Sequence, residues 1–227
     1  MAFSPEIWQS VLLTFRLATV TTILLVLIGL PLAHWLNTSR GRGIIFLETL
    51  VTLPIVLPPT VIGFYLLIFF APQNPLGAAW VGLTGHTLAF SFTGLVIGSV
   101  IYSLPFAVQP FQSALKAIPP TLIEAARISG ANWGQIFWHI SLPIARRGIG
   151  TGIILSFAHT VGEFGVVLML GGAIPGVTKV ASIQLYDEVQ KLNYAQAHSI
   201  ALVLLVISFA LILAISLLQR HRDEEIH

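Results

Sequence analysis

Cysteine, charge and nucleotide-binding motifs are scarce or absent in this 227-residue chain. It has no cysteine, which excludes a disulfide framework and a thiolate metal site. Charged residues make up only 9% of the sequence, against about a quarter in soluble domains. A net charge of +2 is too small to indicate nucleic-acid binding. The pattern G-x-x-x-x-G-K-[ST] does not occur, so the chain has no loop of this kind for the phosphates of ATP.

Long apolar segments take up most of the remaining sequence. Hydrophobic residues make up 56% of the chain, and the mean hydropathy is +0.89. About 20 apolar residues in a helix cross the hydrocarbon core of a membrane. The sequence therefore predicts an all-α polytopic membrane protein, a single domain over residues 1–227 with its core at about 10–218. Five spans are predicted, at 11–33, 46–70, 87–108, 149–171 and 197–218.

The distribution of lysine and arginine predicts the orientation of these spans. Cytoplasmic loops of membrane proteins carry an excess of both residues. The first loop, the third loop and the tail hold most of them, namely Arg40, Arg42, Lys116, Arg127, Arg146, Arg147, Arg220 and Arg222. The fourth loop has only Lys179 and Lys191, and the second has neither residue type. We therefore expect the amino end outside, the carboxyl end inside, and the central segment 111–148 in the cytoplasm.

The central segment has the signals of two short helices. Thr121 and Glu124 have the spacing of a capping box, which predicts that the first helix begins at Thr121. Gly130 stands where a left-handed residue ends a helix. Asn132 is a predicted N-cap with Gln135 at the third position, and this second helix is expected to stop before Pro143. The product would be two helices at an angle, joined at Gly130.

A spaced motif runs through both of these helices. The pattern EAA-x3-G-x9-I-x-LP is matched at every fixed position, by Glu124, Ala125, Ala126, Gly130, Ile140, Leu142 and Pro143. On this motif the chain resembles the permeases of ABC importers. The stretches "LPIVLPPTVIGFYLL" and "GEFGVVLMLGGAIPGVTKVASIQLYDEV" are similar to those of molybdate permeases, with sulfate permeases as close relatives. Apart from the resemblance, the residues favour the simpler interpretation that Glu124 only caps its helix.

The resemblance implies a fold and a set of partners. The fold would be the type-1 ABC importer (MetI-like) transmembrane domain, in the inner (plasma) membrane of a prokaryote. The motif residues would form the coupling site for two separate ABC ATPase subunits, which bind ATP and magnesium. The chain itself would bind no cofactor and carry no catalytic residue. A second copy of the chain and an external oxyanion-binding protein, periplasmic or lipid-anchored, would complete the importer, with no nucleic-acid partner.

Two places within the predicted spans are candidates for the translocation pathway. Ionisable residues at membrane depth are costly and often functional. His159 and Glu163 lie four residues apart on one helical face, in a stretch where Gly162 and Gly165 permit a break. With Phe164, they are candidates for the wall or gate of a pathway; the alternative is a buried His159–Glu163 pair. A metal site is not predicted, because no third ligand is evident.

The second place is in the second span, where Pro58 and Pro59 predict a kink. The kink could line a cavity, or it could be an ordinary feature of helix packing.

The sequence leaves more than one substrate and more than one mechanism open. Spans two to five have no lysine or arginine near their middles, which favours weak binding of a dianion in the pathway. Molybdate is the expected substrate, with tungstate and sulfate or thiosulfate as rivals. A proton-coupled secondary transporter or an intramembrane enzyme could instead use His159 and Glu163. The sequence has no visible inverted repeat to favour the former and no second reactive cluster to favour the latter.

Overall fold

A computed structural model describes residues 4–224 of the chain, with side chains described as far as Gln219. Every regular element in this range is helical. The α-helices are α1 Pro5–Thr38, α2 Arg42–Thr52, α3 Pro59–Phe70, α4 Pro75–Thr84, α5 Phe92–Lys116, α6 Pro120–Ile128, α7 Trp133–Ile136, α8 Leu142–Val161, α9 Gly165–Gly171, α10 Ala181–Gln190 and α11 Tyr194–Glu224. A 3₁₀ turn, Leu53–Ile55, follows α2, and a π-helical segment, Phe137–Ser141, joins α7 to α8.

Helices α1, α5 and α8 form the centre of the protein. Phe111 of α5 is fully buried where the three helices meet. Small residues permit this close packing: a Cβ added to Gly152 of α8 would lie 2.7 Å from the Phe111 ring, and one added to Gly29 of α1 would lie 3.5 Å from it. Buried residues from all three helices complete this core, namely Leu25, Ala33, Leu36, Ala107, Val108, Ala145 and Ile149.

The five predicted spans correspond to three long helices and two bent helix pairs. The long helices α1, α5 and α11 are each sufficiently long and apolar to cross a membrane. The other two candidates consist of Arg42–Ile55 with Pro59–Phe70, bent by 110°, and Trp133–Val161 with Gly165–Gly171, bent by 56°. The helix of the third span, α5, is shifted toward the carboxyl end relative to the predicted span at 87–108.

The second span is broken rather than simply kinked. Pro58 has extended backbone angles, φ −55° and ψ 133°, and Pro59 is the first residue of α3. A proline disfavours helical angles in the residue before it and fits the first turn of a helix. Two successive prolines therefore end one helical stretch and start another, which gives a larger change of direction than the predicted kink.

Candidate functional site: an elbow and two facing helix breaks

The predicted motif lies on a bent segment that we call the elbow, residues 120–143. Its first arm, α6, begins at Pro120 after Pro119, and no side chain caps it. The predicted capping box at Thr121 is therefore wrong, because the two prolines set helical φ values and start the helix one residue earlier. Glu124 is exposed and makes no hydrogen bond or ion pair within the described part of the chain.

The turn between the two arms is formed as the sequence predicts. Gly130 has a positive φ of +83°, which side-chain-bearing residues rarely adopt. The Ala131 amide donates to the carbonyl oxygen of Ala126 at 3.0 Å, across the end of α6. This six-residue closure is the hydrogen bond of a Schellman motif, which ends many helices at a left-handed glycine. The prediction for Gly130 is confirmed.

The second arm starts as predicted and ends differently. Asn132 caps α7: its Oδ1 accepts from the Gln135 amide at 2.9 Å, and Gln135 Oε1 accepts from the Asn132 amide at 2.8 Å. The helix was expected to stop before Pro143. Instead it continues through the π-helical segment into α8. Pro143 stands in the first turn of α8, where the wider π turn precedes it and accommodates a residue without an amide hydrogen.

The elbow presents its outer surface to the surroundings of the chain. Glu124, Ala125, Gly130 and Pro143 are exposed, and Ala126, Ile140 and Leu142 are half-buried. A cavity of about 430 Å³ lies on the bend, lined by Ser129, Gly130, Ala131, Gln135, His139 and Ile140. All seven motif residues thus belong to one bent segment, and none of them is fully buried in the rest of the protein.

The two breaks in the bent spans face each other. A Cβ added to Gly165, the first residue of α9, would lie 2.7 Å from Pro59 Cβ at the start of α3. A Cβ on Gly63 would lie 2.7 Å from Met169 Cβ, one turn further along the same pair of helices. The structure therefore brings the Pro58–Pro59 break next to the break at Gly162–Phe164. The sequence gives no signal for this contact, because the two breaks are far apart along the chain.

Glu163 is buried at the fourth-span break. It is 4% exposed, and neither carboxylate oxygen has a hydrogen-bond partner within the described residues. The backbone carbonyl oxygen of Glu163 accepts a 2.6 Å hydrogen bond from Ser182 Oγ. The ring of Phe164 packs against Tyr186 with a centroid distance of 5.2 Å. Contacts with α10 therefore hold the backbone and the Phe164 ring, and the carboxyl group lies near the buried Ser99 hydroxyl of α5 without a hydrogen bond of good geometry.

His159 has partners other than Glu163. Its Nδ1 lies 2.9 Å from Ser103 Oγ, which also lies 3.1 Å from Thr160 Oγ1. The His159 ring stacks on Phe106 with a centroid distance of 3.8 Å. The alternative of a buried His159–Glu163 pair is therefore wrong, since α5 provides the partners of His159. No group of three potential metal ligands occurs among the side chains of residues 4–219.

Side-chain contacts that the sequence does not reveal tie the elbow to α1. Trp133 Nε1 donates a 3.1 Å hydrogen bond to His34 Nε2, across 99 positions of sequence. Nearby, Gln112 of α5 donates to Glu48 Oε1 of α2 at 3.1 Å, and Asn37 of α1 donates to the Gln112 carbonyl oxygen at 3.0 Å. These bonds join three helices at the same end of the bundle as the elbow. Polar residues near helix ends are common, so nothing in the sequence indicates their pairing.

Residues 25–226 match the family described as "Binding-protein-dependent transport system inner membrane component". The chain belongs to this family of transport permeases. It is 45% identical over 215 residues to the "Molybdenum transport system permease protein ModB" of Azotobacter vinelandii, with 95% of each chain covered. It is 31% identical over 216 residues to the "Sulfate transport system permease protein CysT" of Escherichia coli K12, covering 95% of this permease and 78% of that one.

Solved transporter structures share the fold of this permease. A bacterial ABC transporter that imports alginate matches with a TM-score of 0.78 at 18% identity, covering 96% of this chain and 80% of that one. The MetNI methionine ABC transporter in an inward-facing conformation matches with a TM-score of 0.72 at 19% identity, covering 97% and 99%. The predicted all-α, MetI-like importer fold is thus confirmed. The permease is a multi-pass membrane protein of a family of inner membrane components.

Proposed function

We propose that this permease is the translocation subunit of an ATP-driven molybdate importer. Two copies would form the pathway, and each would dock one separate ATPase subunit. One observation supports this most directly: the exposed elbow carrying the motif is continuous with a helix that ends at the facing breaks. The 20 residues of α8 extend over about 30 Å, the thickness of a hydrocarbon core.

The elbow has the properties of a docking element. Ala125 and Ala126 give α6 a small surface that another protein can approach closely. Glu124 adds an exposed carboxylate for an arginine on the ATPase. When ATP draws the ATPase subunits together, the two elbows would move with them. Because α7, the π-helical segment and α8 form one helical run, this displacement would reach the break at Gly162–Phe164 without an intervening loop.

A homodimer supplies what one copy lacks. Three long helices and two broken ones are few to enclose a path for a solvated ion, whereas two-fold pairing creates a central path between identical surfaces. Pro58, Pro59, Glu163 and Phe164 would line or gate that path near its middle. The breaks face each other within one copy, so a movement transmitted by α8 would shift the start of α3 as well.

Molybdate is the proposed substrate on the strength of the 45% identical molybdenum permease. The sulfate permease at 31% identity makes sulfate the second candidate. Near the middles of spans two to five the sequence has no cation to hold a dianion, so we place selectivity mainly in an external binding protein. We expect the purified dimer alone to bind molybdate with millimolar affinity or weaker, worth at most about 4 kcal/mol in calorimetric titration.

Reconstitution in liposomes tests the proposal. The permease, its ATPase and its binding protein are combined, and uptake of radiolabelled molybdate is followed with ATP or a non-hydrolysable analogue inside. We expect uptake that requires all three proteins and ATP, persists when a proton ionophore is added, and is inhibited by tungstate more than by sulfate. Uptake by the permease alone, driven by a pH gradient, would overturn the proposal in favour of a secondary transporter. Stronger inhibition by sulfate would reassign the substrate.

A further inference from the structure

One hydrogen bond connects the elbow to the first helix of the bundle. Trp133 is the first residue of α7, directly after the capping residue Asn132, and its indole nitrogen lies 3.1 Å from His34 Nε2 near the end of α1. Among residues 4–219, this is the one side-chain hydrogen bond that joins the elbow to an element outside it. The elbow is therefore joined to the bundle through the chain at α5 and α8, through apolar contacts of Ile123 and Leu142, and through this bond to α1.

The chemistry of the two side chains fixes the direction of this bond. An indole N–H can only donate, so His34 Nε2 must accept and carry no proton. The imidazole is then neutral, with its proton on Nδ1. Aromatic contacts hold the same arrangement: the His34 ring lies edge-on to Trp133 at 5.3 Å and to Phe137 at 6.1 Å, and Trp133 and Phe137 are stacked at 5.5 Å. His34 thus stands at a defined angle against two residues of the elbow.

The end of α1 that carries His34 is itself packed firmly into the bundle. Its neighbours Ala33 and Leu36 are buried in the core that contains Phe111 of α5 and Ala145 of α8. A displacement of the elbow that kept the Trp133–His34 bond would therefore carry the end of α1 along with α8. Without the bond, the aromatic rings could slide, because stacking depends less on direction than a hydrogen bond does.

We propose that His34 is a positioning residue for energy coupling: by accepting the Trp133 hydrogen bond it fixes the elbow against α1, so that ATPase movement reaches α1 as well as α8. This inference rests on the proposed function, in which the elbow docks the ATPase. It assigns His34 no contact with ATP, the ATPase or the transported ion. Its predicted signature is a loss of transport per ATP hydrolysed, with the assembled complex retained.

Three substitutions of His34 separate the hydrogen bond from ring packing. His34→Gln places an amide oxygen close to the position of Nε2 and keeps an acceptor. His34→Asn places its oxygen near the position of Nδ1, too short to reach Trp133. His34→Phe keeps an aromatic ring but has no acceptor. Each is reconstituted with the ATPase and binding protein, and molybdate uptake and phosphate release are measured together, after thermal unfolding and ATPase co-purification of each variant are compared with wild type.

We expect His34→Gln to retain most of the molybdate transported per ATP, and His34→Phe and His34→Asn to lose roughly threefold, the size expected for one hydrogen bond. All three should co-purify with the ATPase as wild type does, and none should be destabilised by more than the loss of one hydrogen bond accounts for. If the role were packing alone, His34→Phe would rank above His34→Gln, and that ranking overturns the proposal. Wild-type uptake without the ATPase would instead refute the proposed function, so the two failures are distinguishable.

The bond partner provides a second test. Trp133→Phe keeps a ring in the aromatic group and removes the donor. If the two side chains act through one bond, Trp133→Phe combined with His34→Phe should reduce transport per ATP no further than either change alone. Losses that multiply would show two independent roles and would also overturn the proposal.

Discussion

Gly130 in the elbow and Gly165 at the fourth-span break lie at opposite ends of one helical run, and each position needs glycine for a different reason. Gly130 has φ +83°, and a Cβ placed on it would meet nothing within 4 Å. Gly165 has no such left-handed angle, but its Cβ would lie 2.7 Å from that of Pro59. The elbow therefore depends on a local backbone conformation, whereas the break depends on close packing against another span. If the elbow docks a moving ATPase, as we propose, its shape should not rely on the rest of the bundle.

The glutamates of the two regions differ in the same way. Glu124 is exposed and has no bond within the described residues, so its carboxylate is available to another protein. Glu163 is 4% exposed and also without a side-chain hydrogen bond, but it is enclosed by the chain itself. Substitutions that alter the packing of the break should thus act first on the stability of the permease, and substitutions at the elbow on its association with the ATPase.

The largest effect is expected for Gly165→Ala. The new methyl group would overlap the rigid Pro59 ring and force α3 and α9 apart, at a cost of about 1–3 kcal/mol of unfolding free energy. Gly162→Ala is the matched control, because its Cβ would be 3.7 Å from its nearest neighbour, the Ala158 carbonyl oxygen. Thermal unfolding of both variants in detergent measures the difference. Equal unfolding temperatures would show that the two breaks do not depend on this contact.

The next effect is expected for Gly130→Val. A β-branched residue with left-handed angles costs about 1–2 kcal/mol, which would favour a straightened elbow. We expect the protein to unfold as wild type does but to lose ATPase in co-purification. Gly130→Asn is the control, because asparagine tolerates left-handed angles much better than valine. Normal ATPase association of the valine variant would contradict a role for the turn in docking.

The sequence was informative wherever a structural signal is local. Gly130 and the Asn132–Gln135 capping box were predicted correctly because each depends on residues within one helical turn. The prediction failed at Thr121, where Pro119 and Pro120 provide a competing local start. It also failed at Pro143, since a proline in a first helical turn is compatible with a continuous helix when a π turn precedes it.

Contacts between distant segments could not be predicted in this way. Apolar periodicity indicates that a helix has a buried face, but it does not indicate which helix covers that face. The approach of Gly165 to Pro59 and the bond between Trp133 and His34 are of this kind. The pairing of His159 with Ser103 is another case, because the helical spacing of His159 and Glu163 suggested an interaction that tertiary structure does not form.

A smaller effect is expected for Glu124→Gln. The side chain makes no bond in the described protein, so stability should not change. An exposed ion pair with an arginine of the ATPase is worth at most about 1 kcal/mol, or roughly fivefold in affinity. Titration of the permease with purified ATPase measures this affinity, and it should depend on salt for wild type more than for the variant. Glu6→Gln, also exposed but distant in sequence from the elbow, is the control. Equal ATPase affinities of wild type and Glu124→Gln would show that Glu124 does not pair with the ATPase.

The smallest functional effect is expected for Glu163→Gln at the fourth-span break. Neither carboxylate oxygen has a hydrogen bond of good geometry to lose, and glutamine has nearly the same shape, so the unfolding free energy should change less than it does for a buried glutamate with several bonds. Glu188→Gln is the contrasting control. Glu188 is equally buried at 4% exposure, but it accepts hydrogen bonds from Gln184 at 2.9 Å and Asn193 at 2.8 Å and pairs with Lys191 at 3.3 Å.

Loss of the Glu188 charge should lower stability by about 1–3 kcal/mol, because hydrogen bonds to charged groups are the stronger ones. Glu163→Gln should instead alter the rate of molybdate uptake, by roughly twofold or more, if the acidic group at the break acts on an anion passing through the pathway. Thermal unfolding and liposome uptake of the same preparations separate the two effects. A destabilised Glu163→Gln permease with normal uptake would assign the residue to the packing of the break and remove it from the pathway.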